Sequence, residues 1–478
     1  MSGKIRANGW LLTGAVLTAF GAGYGMRAGS ESGWVPAPGE RLSAEPSPKI
    51  RLIQTAQGQR YVDQMLAQTG DGKTLDSTNG KRTYKPNLKP YESLDEVRRA
   101  IRDNFVRTKI DDEQLTHGAI RGMLRSLGDR FTRFLTPEEY KEFSEKNGGE
   151  FTGIGARIDL IEEYHGSAVA KPFGASRPYI VEPMAGGPAQ KAALLKDDVI
   201  LSINGKSTAE MSQDAVVQYI RGERGTKVKL QIERKTKAGK LDRDATFKTF
   251  DIDITRDIIE VHPVTLEWLP NRIAWIKLDE FNKKSAKEMG EALTKLRTGP
   301  KNEDGTPQGP ARGLVFDLRD NPGGLLDAAV DIGSRFIAEG PIVYQRERDG
   351  SEEALIADRD NYMNLKVPIV ILVNNYSASA AEVVTGAMKD KGVATVVGEQ
   401  SYGKAAVQVL LEMKNGGALI ITTAKYFTPA KRDISEKGIA PDFVVKASTE
   451  DEKTGRGAQL NKAVAIIQEK NQALAARP

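Results

Sequence analysis

A multidomain α/β protein, with a mainly-β domain inserted between a helical segment and an α/β core, is the fold class that this chain predicts. Three observations carry it. Apolar runs at 313–319, 367–373 and 393–397 each end in a turn of small and polar residues, and the first two pass into helical patterns. That is the signature of buried parallel strands joined by helices. Between 149 and 257 the pattern changes to short strands, glycine turns and a single short helix at 215–220. The chain has 478 residues, 39% of them hydrophobic, and a chain of that length buries its apolar surface well only when divided into domains.

The elements follow in order. Lys4 and Arg6 precede an uncharged apolar stretch of 17 residues, 10–26. As a helix it would reach only about 25 Å, against about 30 Å of bilayer hydrocarbon. Residues 1–27 are therefore read as either a cleaved signal peptide or a membrane anchor, and the rest of the chain as exported to an extracytoplasmic, periplasmic or cell-envelope location. Residues 28–87 are rich in Pro, Gly, Ser, Thr and charge and read as a disordered tether. The region 88–148 reads as helical, 149–257 as the inserted β domain and 258–478 as the α/β core. The core alternates strands and helices over 263–447. It closes with an amphipathic helix at 456–474 carrying Leu460, Ala463, Val464 and Ile467 on one face. The polar segment 301–310 reads as a surface loop, and no internal repeat is present.

Composition narrows the chemistry. A net charge of +5, with both signs mixed throughout, gives no basic patch for nucleic acid. The absence of cysteine excludes a thiol nucleophile, a cysteine zinc site and disulfides. The three histidines, His117, His165 and His262, lie far in sequence from the segments below, and no metal-ligand spacing or cofactor motif is present.

Ser379 and Lys404 are the candidate reactive pair. Ser379 lies in Asn374-Asn375-Tyr376-Ser377-Ala378-Ser379-Ala380-Ala381-Glu382 after one apolar run, and Lys404 ends Gly398-Glu399-Gln400-Ser401-Tyr402-Gly403-Lys404 after the next. Strand, turn, helix, strand, turn can bring a hydroxyl and an amine to the carboxyl ends of neighbouring strands, where open α/β sheets place their sites. A serine needs a base to become nucleophilic. An ordinary lysine, with a pKa of about 10.4, is neutral only about once in a thousand near pH 7, but burial lowers that pKa by up to about 3–5 units. Two other readings compete. Ser379-Ala380-Ala381-Glu382 is also a capping box that opens a helix, which is compatible with catalysis because a helix start offers free N–H groups. Gly398 to Lys404 fits the first part of a phosphate loop, but Ala405 stands where that loop needs a hydroxyl and 407–411 reads as a strand. A second glycine turn, Asp320-Asn321-Pro322-Gly323-Gly324, follows the strand at 313–319. It could expose backbone N–H groups to a developing oxyanion.

These segments resemble the carboxyl-terminal processing, or tail-specific, proteases. The resemblance rests on Asp317-Leu318-Arg319-Asp320-Asn321-Pro322-Gly323-Gly324, on Ser377-Ala378-Ser379-Ala380 with Glu382, and on Gly403-Lys404 with Gln408. Tyr426-Phe427-Thr428-Pro429, Lys437-Gly438-Ile439-Ala440-Pro441-Asp442 and Gly122-Met123-Leu124-Arg125-Ser126-Leu127-Gly128-Asp129 extend it over about residues 90–470. It implies a ClpP/crotonase-like protease core. Ser379 would be the nucleophile, Lys404 the general base and Gln408 the residue that orients the lysine. Gly323 or Gly324 and Ala380 would supply oxyanion N–H groups, and Asp390 would have a supporting role. Ala405 stands where the family usually has glycine.

Residues 149–257 resemble a PDZ domain. The resemblance rests on Phe151-Thr152-Gly153-Ile154-Gly155-Ala156, Ala185-Gly186-Gly187-Pro188-Ala189 and the run Leu194 to Gly205. Such a domain holds a peptide carboxylate on backbone N–H groups and adds the peptide as a strand. Gly153, Ile154 and Gly155 are the implied carboxylate loop, and Asp197 replaces a glycine often found before Asp198. Together the two resemblances imply an exported endopeptidase that recognises protein substrates by free, apolar C-termini. A homo-oligomer or an adaptor stays open. The rival function is a PDZ-bearing scaffold on an inactive core, which would be expected to have lost Ser379 or Lys404.

Overall fold

The computed structural model describes residues 90–107, 109–167, 169–172, 174–237 and 246–476. The signal or anchor segment and the tether expected before residue 88 lie outside them. The chain divides into two compact units with the boundary after Leu115. In the first, α1 (Pro90–Asn104) is an amphipathic helix whose Arg102 Nε donates to Asp112 Oδ1 at 3.1 Å.

The second unit carries everything that follows. After α2 (Asp112–Arg125) comes β1 (Arg133–Leu135), a strand inside the region read as helical. Phe134 and Leu135 are buried there, and β1 pairs with a strand near residue 419, so long-range pairing overrides local pattern. α3 (Pro137–Gly148) opens with a capping box, Thr136 with Glu139, and ends on Gly149 at φ 72°.

A two-stranded ribbon, β2 (Glu150–Gly153) with β9 (Asp257–Glu260), carries the chain into the β domain and out again. Between them run β3 (Ala156–Ile161), β4 (Arg177–Pro183), the short α4 (Pro188–Lys191), β5 (Val199–Ile203), β6 (Lys206–Ser207), α5 (Gln213–Ile220), β7 (Lys227–Lys237) and β8 (Thr246–Thr255). The sheet order is β3-β4-β5-β7-β8, with β6 on β5. α5 begins two residues earlier than expected because Ser212 caps it, its side chain accepting from the Ala215 N–H. Ile180, Ile200, Ile203, Val216, Leu230 and Ile232 form the core of this domain. Asp197 sits at φ 65°, a left-handed conformation that explains the usual glycine and that aspartate tolerates.

The α/β core comprises β10 (Val264–Leu269), β11 (Ile273–Leu278), α6 (Ser285–Lys295), β12 (Gly313–Asp317), α7 (Leu326–Phe336), β13 (Pro341–Glu347), β14 (Glu352–Ile356), β15 (Ile369–Val373), α8 (Ala380–Asp390), β16 (Thr395–Gly398), β17 (Ala406–Glu412), β18 (Ala418–Phe427), β19 (Phe443–Val444), α9 (Thr449–Thr454) and α10 (Ala458–Ala475). The main sheet has the order β10-β11-β12-β15-β16-β19, parallel from β11 onward. Its central strands, β11, β12, β15 and β16, are buried on both faces, as parallel strands generally are. Phe316, Ile371 and Val396 meet α6, α7 and α8, while Val315, Val370 and Val397 meet Leu460, Ala463 and Ile467 of α10. A second, antiparallel sheet, β1-β18-β13-β14 with β17 on β18, flanks the main sheet.

A buried ionic knot ties α10 to the end of β12. Arg319 Nε donates to Asp317 Oδ1 at 2.9 Å, and its Nη1 donates to Asp451 Oδ1 and Gln459 Oε1, both at 3.1 Å. Trp275 Nε1 also donates to Asp317, at 3.0 Å. Burial pushes the Asp317 carboxyl up, but Arg319 overrides that and holds it below the usual carboxylate range. This contribution is fully present above that range and is lost as pH falls below it, through the lowered value of the folded protein. Arg319→Leu leaves two buried carboxylates without their cation. It is expected to cost about 3–5 kcal/mol at pH 7 by denaturant unfolding; a loss under about 1 kcal/mol would show that the knot is dispensable.

Candidate active site

Three adjacent parallel strands deliver the candidate residues. The turn after β12 carries Gly323 and Gly324, that after β15 carries Ser379 and that after β16 carries Lys404, and β12 pairs with β15 and β15 with β16. The turns are stitched together by their own polar groups. The Ala378 N–H donates to the Asn321 carbonyl at 3.0 Å, Ser377 Oγ to the Leu318 carbonyl at 2.7 Å, and the Tyr402 N–H to the Ser377 carbonyl at 3.0 Å.

Ser379 is buried and lies at φ 56° and ψ −118°. Positive φ on a residue bearing a Cβ costs about 1–3 kcal/mol and persists only where its surroundings enforce it. Glu382 enforces it: one carboxylate oxygen, Oε2, accepts from the Ser379 N–H at 2.8 Å, while the Ser379 carbonyl accepts from the N–H groups of Glu382 and Val383 at 2.8 and 2.9 Å. The same carboxylate reaches across to the lysine turn. Oε2 accepts from the Lys404 N–H at 2.9 Å, and Oε1 from the Gly403 N–H at 2.7 Å and Ser401 Oγ at 2.6 Å. Glu382 is fully buried. The sequence showed it as the last residue of a capping box and as part of the family resemblance, without a role of its own; a buried acid there joins two turns as well as closing one.

The Lys404 amine is mostly enclosed. Its Nζ lies 5.2 Å from the centroid of the Phe131 ring. Burial lowers its pKa to about 8, the Arg133 guanidinium adding to the effect and Asp129 and Glu382 opposing it. No hydrogen bond joins Lys404 Nζ to Ser379 Oγ in this structure. Tyr426, on β18, places its buried phenol against the Ser379 hydroxyl, and its N–H donates to the Ala405 carbonyl at 2.7 Å. Ala405 itself is buried with ordinary negative φ, so alanine fits where the family usually has glycine.

The segment Asp129 to Arg133 is the part of the site that sequence reasoning missed. Asp129 accepts from the N–H groups of Phe131 and Thr132 at 3.0 and 3.1 Å and from the Thr132 hydroxyl at 2.6 Å. Gln408 Nε2 donates to the Phe131 carbonyl at 2.6 Å, and that is where its amide nitrogen points, not toward Lys404. The available signals were Gly128-Asp129 and Phe134-Leu135, which flank the segment in the amino-terminal match and say nothing of where it docks.

Of the three expected oxyanion donors, two are free. The Gly323 N–H is taken by Asn321 Oδ1 at 2.8 Å, whereas those of Gly324 and Ala380 have no partner among the described residues. Gly323 is nevertheless required: at φ 98°, a Cβ there would stand 2.7 Å from Ser379 Cβ and 2.9 Å from the Ala380 nitrogen. Asp390 lies at the far end of α8 from Ser379. It accepts from the Ala430 N–H at 2.9 Å and pairs with Arg432, so it anchors the turn after β18.

The loop expected to hold a carboxylate lies in the β domain, at the end of β2. Gly155 has φ 68°, and a Cβ there would press on Ile259 Cδ1 at 2.9 Å. The Ile154 and Gly155 carbonyls accept from the Ala189 and Met184 N–H groups at 2.7 and 2.9 Å. The N–H groups of Ile154 and Gly155 have no partner among the described residues, as an anion cradle requires; the Gly153 residue belongs to β2. The histidines are occupied elsewhere. His117 meets Phe134, His262 bonds Glu288 and His165 lies beside Gly174.

Comparison with known proteins matches residues 272–445 to peptidase family S41, 145–233 to the PDZ domain, and 53–139 to the N-terminal domain of the activating protease CtpB. A carboxyl-terminal-processing protease of Synechocystis is 35% identical over 72% of this chain and 74% of its own. Carboxy-terminal processing protease CtpA of Bacillus subtilis is 33% identical over 80% and 73%. The solved photosystem II D1 C-terminal processing protease is 26% identical, with a TM-score of 0.43 over 80% of this chain and 98% of that one.

Because Glu382 positions both turns, Glu382→Ala is expected to lower kcat/KM for peptide hydrolysis by about a hundredfold, the usual effect of a misplacement near 1 Å, in a protein that still unfolds cooperatively. Activity within about threefold of the parent would remove Glu382 from the account.

Proposed function

The chain belongs to peptidase family S41, with the carboxyl-terminal processing proteases, and on that premise we propose that it is an exported endopeptidase working through a Ser379–Lys404 dyad. It is a serine peptidase with a PDZ domain, and its substrates are proteins. The observation that carries the dyad is the shared Glu382 carboxylate, which holds the serine and lysine turns side by side while burial leaves the amine with a pKa of about 8.

The proposed chemistry follows from these positions. Side-chain rotation closes the gap between Ser379 Oγ and Lys404 Nζ. The neutral amine takes the hydroxyl proton as Oγ attacks the scissile carbonyl. The free N–H groups of Gly324 and Ala380 receive the developing oxyanion, each such donor being worth about a hundredfold or more. The Lys404 ammonium then protonates the leaving amine, and water releases the acyl group by the reverse steps. Gln408, whose Nε2 is held by the Phe131 carbonyl, offers its Oε1 to the ammonium form. Asp390 supports the site indirectly, through the turn after β18.

The PDZ domain is proposed to capture the free C-terminus of a substrate on the Ile154 and Gly155 N–H groups, with Gly153 at the start of the loop. The 10–26 stretch, as signal peptide or anchor, would place the enzyme outside the cytoplasm, in the periplasm or cell envelope.

Two experiments test this. Turnover should rise with pH to a plateau with an apparent pKa of about 8, because only the neutral amine accepts a proton. Lys404→Arg should be inactive at every pH, since arginine stays protonated. A pH-independent rate, or an active arginine variant, contradicts the assignment. Separately, a protein substrate ending in small apolar residues should be degraded at least several-fold faster than the same protein with an amidated C-terminus. Equal rates would remove the PDZ domain from substrate selection.

A further inference from the structure

The open edge of the PDZ sheet is closed by a side chain of its own helix. β3 is the outermost strand of that sheet. Within it, Ile158 stands opposite Ile180 of β4. The Ile180 N–H donates to the Asp198 carbonyl and its own carbonyl accepts from the Asp197 N–H, both at 2.8 Å, so both groups point away from β3. In an antiparallel pair, a residue facing such a partner turns its own N–H and C=O outward. Ile158 therefore presents its backbone to the free edge. On that edge Gln213, the first residue of α5, donates Nε2 to the Ile158 carbonyl at 2.9 Å.

We propose that the Gln213 amide is a built-in competitor for the substrate's C-terminal strand, occupying the acceptor that the strand itself must use. This rests on the reading of the PDZ domain as the site of C-terminus capture. A carboxylate held at Ile154 and Gly155 places the last peptide residue beside Ala156. Two steps along β3 correspond to two steps back along an antiparallel peptide, so the third residue from the end lies against Ile158. Its N–H needs the Ile158 carbonyl that Gln213 now fills. Strand addition thus exchanges one hydrogen bond for another at this point and gains only the difference. Gln213 weakens every ligand whose N–H must displace it from the Ile158 carbonyl.

The test measures binding to the full chain carrying Ser379→Ala, which prevents cleavage. The probe is a fluorescent peptide ending in Ala-Ala-Ala, with a free or an amidated C-terminus. Gln213→Ala, and Gln213→Met as a variant that keeps length without the donor, should each tighten binding of the free-carboxylate peptide about fivefold, the weight of one ordinary hydrogen bond. The amide should bind more weakly than the free-carboxylate peptide in the parent and in both variants. Unchanged or weaker binding in both variants, with the preference for a free carboxylate intact, overturns the role of Gln213 alone. Loss of that preference in the parent protein overturns the capture reading, and this inference with it.

Discussion

The Glu382 carboxylate is the constraint on which the rest of the site depends. It is fully buried and accepts four hydrogen bonds, from the Ser379, Gly403 and Lys404 N–H groups and from Ser401 Oγ. A buried carboxylate without partners is strongly unfavourable, and bonds to a charged acceptor contribute about 1.5–3 kcal/mol each. The arrangement therefore resists losing any one of the four. Ser401 extends it, since its Oγ also accepts from the Ile439 N–H at 2.6 Å. The serine turn, the lysine turn and the 434–439 segment behave as one piece, and the strained backbone of Ser379 is maintained by that piece.

The same bonds shape the lysine. Every hydrogen bond that Glu382 accepts comes from backbone or from Ser401, and none from Lys404 Nζ. The carboxylate is near enough to raise the proton affinity of the amine but does not hold it as an ion pair. Burial and Arg133 pull the other way and prevail. A direct Glu–Lys pair would have fixed the ammonium form. Spending the carboxylate on backbone N–H groups keeps the two turns together and still leaves a base that releases its proton near neutral pH.

Much of this was legible in the chain because it is local. Apolar runs ending in Gly323-Gly324, in Ser379 and in Gly403-Lys404 mark three strand ends, and parallel order then makes them neighbours. What stayed hidden depends on distant pairing. β1 looks like part of a helical region, and only its pairing with β18 brings Asp129 to Arg133 beside Lys404. The antiparallel second sheet is masked because strand–helix alternation records sequence order, not which strands pair. Asn321 capture of the Gly323 N–H and the Gln213 contact with Ile158 are single side-chain choices that no periodicity encodes. Asp390 entered only through the family resemblance, and its partners, Ala430 and Arg432, lie some forty residues on in the chain.

This enclosure leaves Lys404 a weakly basic amine poised to accept the serine proton. Direct titration of its Nζ by NMR, with isotope-labelled lysine in the Ser379→Ala protein and Lys404→Met as the assignment control, measures it without reference to turnover. One lysine resonance, absent from the control, should titrate at a pKa of about 8. A value near that of a free lysine, about 10.4, would contradict it.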